Sequence, residues 1–123
     1  MNIHQQQTLD HYHDPENHGH LDDPTHAADG DNATCGDTMR IELLIADDII
    51  SDVRFSGEGC AISQASASLL SSAIIGQSIS LLTDMGKDDI LKLLGVELSM
   101  SRLKCGLLSL ETAHKALKNP LKQ

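Results

Sequence analysis

The stretch Met39-Arg40-Ile41-Glu42-Leu43-Leu44-Ile45-Ala46-Asp47-Asp48-Ile49-Ile50-Ser51-Asp52-Val53-Arg54-Phe55-Ser56 decides the fold. Met39, Ile41, Leu43 and Ile45 alternate with their neighbours and share one face at period two, as a half-buried strand over 39–46 requires. Ile50, Val53 and Phe55 supply the apolar members of a return strand over 49–56. Asp47-Asp48 is a tight turn, although it lacks the glycine most favoured there. Two short strands joined by two residues predict an antiparallel β-hairpin.

Toward the C-terminus the period changes. Ala61 to Ile75 places Ile62, Ala65, Leu69 and Ala73 at helical spacing, and Gly76 is a natural stop. Its serines are small enough for close helix packing, and no His or acid is placed to activate one as a nucleophile. Asp88 to Leu94 predicts a short helix that begins with acids and ends at Gly95. Arg102 to Lys118 predicts a third, closed by Pro120, with Leu103, Leu107, Leu110, Ala113 and Leu117 as its inner stripe and His114 outward. A small sheet followed by helices predicts an α+β class: a short antiparallel β-sheet with helices packed on one face. The length suits one domain over residues 1–123.

Residues 1–34 read differently. They hold six of the seven histidines, His4, His11, His13, His18, His20 and His26, and two of the three prolines. Residues 3–12 predict a short helix with Ile3, Leu9 and Tyr12 as its contacts, stopped by Pro15. His18 to Thr34, rich in Asp, Gly, Pro and Asn, predicts a loop. The histidines read as a solvated, mobile segment.

Composition excludes several functions. Nine Lys+Arg against 18 Asp+Glu give a net charge of −9, which repels phosphate backbones and anionic membrane surfaces. One Tyr, one Phe and no Trp leave little to stack on bases. No nucleic acid and no membrane are therefore expected as partners. No apolar run approaches the length of a membrane span, and Met1-Asn2-Ile3-His4 lacks the basic start and apolar core of a secretory signal, so a cytoplasmic location is expected.

The three cysteines are an odd, sparse set, poor as a disulfide framework. Cys35 lies in Thr34-Cys35-Gly36-Asp37, before the first strand. Cys60 closes Gly57-Glu58-Gly59-Cys60, between a strand end and a helix start. Cys105 lies in Arg102-Leu103-Lys104-Cys105, read as the first turn of the last helix. A helix N-terminus favours the thiolate, which is both nucleophile and metal ligand, and Lys104 adds positive charge beside Cys105. In an extended segment residues i and i+2 point to the same side, so Cys35 and Asp37 can address one ion. Three thiolates and a carboxylate would complete a tetrahedral site for Zn2+, or for iron within a cluster. Residue chemistry alone leaves two readings open: a metal or thiolate site, or three small buried hydrophobes.

Four ordered motifs carry a resemblance. Leu9-Asp10-His11-Tyr12-His13-Asp14-Pro15-Glu16-Asn17-His18-Gly19, Cys35-Gly36-Asp37, Gly57-Glu58-Gly59-Cys60-Ala61-Ile62-Ser63 and Arg102-Leu103-Lys104-Cys105 together resemble the IscU/SufU/NifU N-terminal family of iron–sulfur cluster assembly proteins. The match spans nearly the whole chain. It implies a compact α+β, SufE/NifU-like fold in which Cys35, Asp37, Cys60 and Cys105 meet at one exposed end as cofactor and metal ligands. It also implies a non-enzymatic scaffold. Such a protein accepts sulfur from a cysteine desulfurase and holds iron or a nascent [2Fe–2S] cluster for apo iron–sulfur client proteins. The alternative it implies is a SufU-type, zinc-dependent sulfur-transfer (persulfide acceptor) protein. Cys105, whose thiolate Lys104 favours, is the expected persulfide acceptor. The motif wording is SufU-like, with Lys104 where scaffold-type members carry a histidine, whereas the Cys60–Cys105 spacing is IscU-like.

Overall fold

The computed structural model describes residues 16–32, 36–95 and 98–121. Among these residues three strands form one antiparallel sheet in the order β1-β2-β3: β1 His26–Asn32, β2 Asp37–Ala46 and β3 Ile49–Ser56. Four helices follow among the described residues: α1 Ala61–Ile74, α2 Ile79–Asp84, α3 Lys87–Leu94 and α4 Met100–Leu117. The α+β class and the hairpin over 39–56 are as the alternation predicts. The helix expected over 3–12 lies outside the described residues.

The hairpin turn explains how two aspartates replace the usual glycine. Asp47 and Asp48 both adopt left-handed backbone, φ 52° and 62°. That is the primed two-residue turn whose twist suits paired strands, and Asp tolerates left-handed backbone better than most residues. Ala46 pairs with Ile49, and a bulge at Leu44/Ile45 shifts the register by one.

Two elements depart from the sequence reading. His26–Asn32, read as loop, is an edge strand paired with β2 from His26↔Leu43 to Asn32↔Asp37. Its Ala, Asp, Gly and Asn are residues that strands disfavour, so propensity points the wrong way and tertiary pairing prevails. Ile79–Asp84, six residues capped by the Ser78 hydroxyl accepting from Leu81 N–H, is too short to show a period.

The core lies between the sheet and the helices. Leu43, Ile50, Phe55, Leu70, Ile74, Leu82, Ile90 and Leu94 are fully buried there, each side chain stabilising by roughly 1.5–3 kcal/mol. The inner face of α4 is wider than the expected leucine stripe: Leu110 and Ala113 are buried as expected, and Leu107 and Leu117 pack against the core, but small residues beside them are buried too. Cys105, Leu108, Ser109, Thr112, Ala113 and Ala116 are buried, whereas Leu103, Leu107 and Leu117 are only half-buried. Small polar residues face inward because neighbours come close. Ser66 of α1 donates to the Gly106 carbonyl at 2.6 Å, and its oxygen lies 2.7 Å from Ser109 Oγ. His114, expected outward, is half-buried and donates from Nε2 to the Leu82 carbonyl at 2.7 Å.

Both sheet edges are partly covered, which hinders strand addition there. Along β1, Leu121 N–H donates to the Thr25 carbonyl, and the Asn119 side-chain amide to the Ala27 carbonyl. Along β3, Gly19 N–H donates to the Phe55 carbonyl and Phe55 N–H to Asn17. Residues 16–18 also touch α1 and Phe55, and the chain then reaches the outer face of the sheet at His20 and Leu21. There Glu42, pointing away from the core, accepts from Leu21 N–H at 2.7 Å, Arg40 Nε at 3.0 Å and His20 Nδ1 at 3.2 Å.

Candidate metal centre

One end of the sheet gathers three of the four expected ligands. Asp37 opens β2, on its core-facing side. Chain reversal after β3 brings the segment 57–60 across that strand end, where Thr38 N–H donates to the Glu58 carbonyl at 2.7 Å. This stitch places Cys60, the N-cap residue of α1, against Asp37. The Cys60 N–H donates to Asp37 Oδ1 at 3.1 Å, and the Cys60 thiol lies 3.7 Å from Oδ2. Asp37 thus does the work of a helix cap from outside the helix, since N-terminal N–H groups lack partners within it.

Two glycines make room. A Cβ on Gly57, at φ +123°, would stand 2.3 Å from the Thr38 carbonyl oxygen. A Cβ on Gly59 would stand 2.3 Å from Ser63 Oγ and 3.2 Å from Asp37 Oδ1. The Gly-Glu-Gly-Cys run is therefore a steric condition for the carboxylate and Cys60 to meet. Ser63, one turn into α1, donates to the Cys60 carbonyl at 3.0 Å and lies 3.9 Å from the Cys60 sulfur.

The third of the expected ligands, Cys105, arrives from α4. One donor atom from each of Asp37, Cys60 and Cys105 lies within 4.8 Å of the others. Zinc sits about 2.3 Å from sulfur, so two atoms on one ion lie roughly 4 Å apart, and this trio is close enough to share one. Two thiols with a carboxylate suit zinc or iron rather than magnesium or calcium, whose sites are built of oxygen. The set thus fits the metal and cluster chemistry expected of it.

The structure corrects three details. Cys105 is not in the first turn of its helix: Ser99 is the N-cap, so Cys105 stands in the second turn. The trio is not openly exposed either, since Asp37 is 3 % and Cys105 1 % accessible while Cys60 is half-buried. Lys104 is exposed, whereas Cys105 turns inward. Cys35 lies outside the described residues. Sequence reasoning missed Asn32, whose side-chain Nδ2 stands 3.6 Å from Cys105 Sγ. It also took Ser63 as packing alone. Ser63 sits three residues after an N-cap, a detectable signal, but nothing in the chain announces Asn32.

No helix among the described residues is long and apolar enough to cross a membrane. Comparison with known proteins agrees with the geometry. A family model described as NifU-like N terminal domain matches residues 3–123. The chain is 36% identical to the zinc-dependent sulfurtransferase SufU of Bacillus subtilis, over 94% of this chain and 89% of that protein. It is also 36% identical to the iron–sulfur cluster assembly scaffold protein IscU of Thermotoga maritima, over 89% of each. A crystal structure described as a putative iron–sulfur cluster assembly scaffold protein for the SUF system, from Fervidobacterium islandicum, superposes with a TM-score of 0.77 at 28% identity. That superposition covers 91% of this chain and 94% of the other. Helices on one side of a three-stranded sheet, a carboxylate and two thiols at its end, and a match over nearly every residue place the chain in the NifU-like N-terminal domain family.

Proposed function

We propose that this protein is an iron–sulfur cluster assembly scaffold: it accepts sulfur from a cysteine desulfurase and holds iron or a nascent [2Fe–2S] cluster for transfer to apo-proteins. The observation that carries the reading is the convergence of Asp37, Cys60 and Cys105 within 4.8 Å. Cys35, two residues before Asp37 in the chain, is the fourth ligand in this reading. Metal bound there would supply an electrophilic centre that keeps the thiols deprotonated.

The residues divide the work. Asp37 is a harder and more exchangeable ligand for iron than a thiolate, so it keeps the cargo labile. Its hold by the Cys60 N–H fixes one carboxylate oxygen and leaves the other toward Cys60 Sγ. Asp37→Ala should therefore retain metal longer under chelator challenge, followed by a colorimetric indicator; faster loss contradicts the assignment. Cys105 is the sulfur acceptor. Its thiolate attacks the terminal sulfur of the desulfurase persulfide, forming a new S–S bond, while the donor S–S bond breaks and leaves the desulfurase thiolate. Because Cys105 is buried, acceptance requires the start of α4 to open on docking. With radiolabelled cysteine and desulfurase, Cys105→Ser should lose label on this chain while Cys35→Ser and Cys60→Ser keep part of it. Equal loss in all three contradicts the choice.

A second reading is supported by the SufU relative, which matches as well as the scaffold relative does. Here the metal is one tightly held zinc and the protein relays persulfide sulfur. Anaerobic purification with metal and acid-labile sulfide measured together separates the two. A visible-absorbing cluster formed from iron, cysteine and desulfurase supports the scaffold. One zinc per chain that never gives way to a cluster supports sulfur transfer.

A further inference from the structure

Asn32 ends β1 directly opposite Asp37. Residues paired across an antiparallel ladder project to the same face, so Asn32 and Asp37 both point toward the helices. Gly30, two residues earlier on that face, is where α4 comes closest: a Cβ there would stand 2.2 Å from Thr112 Oγ1. Cys105 lies seven residues before Thr112, on the same stripe of α4. The contact that brings Gly30 to Thr112 thus brings Asn32 to Cys105. Its Nδ2 stands 3.6 Å from Cys105 Sγ, across 73 residues of chain.

The two sulfurs therefore meet different surroundings. Cys60 Sγ is beside the Asp37 carboxylate, an acceptor. Cys105 Sγ is approached by an amide, whose nitrogen can only donate. A hydrogen bond donated to a ligating thiolate draws electron density from sulfur, weakens its donation to a metal and fixes its orientation. We infer that Asn32 is a positioning residue for the metal centre: its side-chain amide donates to Cys105 Sγ, aims that sulfur at Asp37 and Cys60, and weakens its donation to the metal. The inference rests on the proposed metal-holding role of this site.

The probes are Co2+ and 113Cd2+ alone, added to the full chain. Co2+ bound by thiolates gives an intense near-ultraviolet charge-transfer band. Asn32→Leu, similar in size but without N–H groups, should move that band to longer wavelength while the visible ligand-field bands keep their four-coordinate pattern. An unchanged charge-transfer maximum overturns the inference. Should Asn32→Leu fail to fold, the wild-type chain still decides. Loaded with 113Cd2+, it should show scalar coupling between an Asn32 side-chain amide proton and the metal, transmitted through the N–H···S bond. A cadmium resonance in the thiolate range without that coupling overturns the inference as well. Absence of any cobalt charge-transfer band in the wild type defeats instead the metal-holding reading on which the inference rests.

Discussion

At the scale of single residues, the outer face of the sheet shows how a buried acid is kept charged. Burial alone pushes the Glu42 carboxyl up, but hydrogen bonds from Leu21 N–H, the Arg40 guanidinium and His20 outweigh it and hold it below its ordinary value of 4.5. A carboxyl depressed in the folded state contributes stability that is present above the unfolded value and lost as pH falls through the folded one. Glu42→Gln should therefore cost about 1.5–3 kcal/mol at pH 7, the range for hydrogen bonds to a charged acceptor. The difference from wild type should shrink as pH falls below about 4.5. Urea midpoints measured from pH 7 to pH 3 check this; parallel curves contradict it. The candidate ligands were legible at this scale because Cys35-Gly36-Asp37 and Gly57-Glu58-Gly59-Cys60 are dense local motifs. Asn32 was not, because its role depends on a partner 73 residues away.

At the scale of elements, what the chain disclosed follows from periodicity. The hairpin over 39–56 alternates cleanly, and the return strand Ile49–Ser56 has the bounds its pattern predicts. β1 carries no such pattern, since only its pairing with β2 and its packing on α4 make it a strand. α4 is legible as a helix, and Leu110 and Ala113 of its leucine stripe are buried, but the buried face extends beyond that stripe. Leucine spacing picks out part of that face, and the close approach of Gly30 and Ser66 adds the small residues Ser109 and Thr112 to it. That approach can be tested. Gly30→Ala should destabilise by about 1–3 kcal/mol, as overpacking does. Thr112→Ala in the same chain should recover part of the loss, because it removes the atom that the new methyl meets. Chemical denaturation of both single variants and the double variant reads the coupling. Strict additivity contradicts the contact.

For the whole molecule, one consequence of topology organises the function. The β1–β2 ladder ends at Asn32↔Asp37, α1 begins at Cys60, and the second turn of α4 carries Cys105. Three separate connections thus deliver polar and thiol groups to the same end of the sheet. The core lies behind them, so ligation is not needed to define the architecture. The most direct test is X-ray absorption at the zinc edge of the anaerobically prepared, zinc-loaded chain. We expect about three sulfur neighbours near 2.3 Å and one oxygen near 2.0–2.2 Å, with one sulfur fewer in Cys105→Ser. A first shell of nitrogen and oxygen alone, or one unaltered in Cys105→Ser, would contradict a shared centre of these residues.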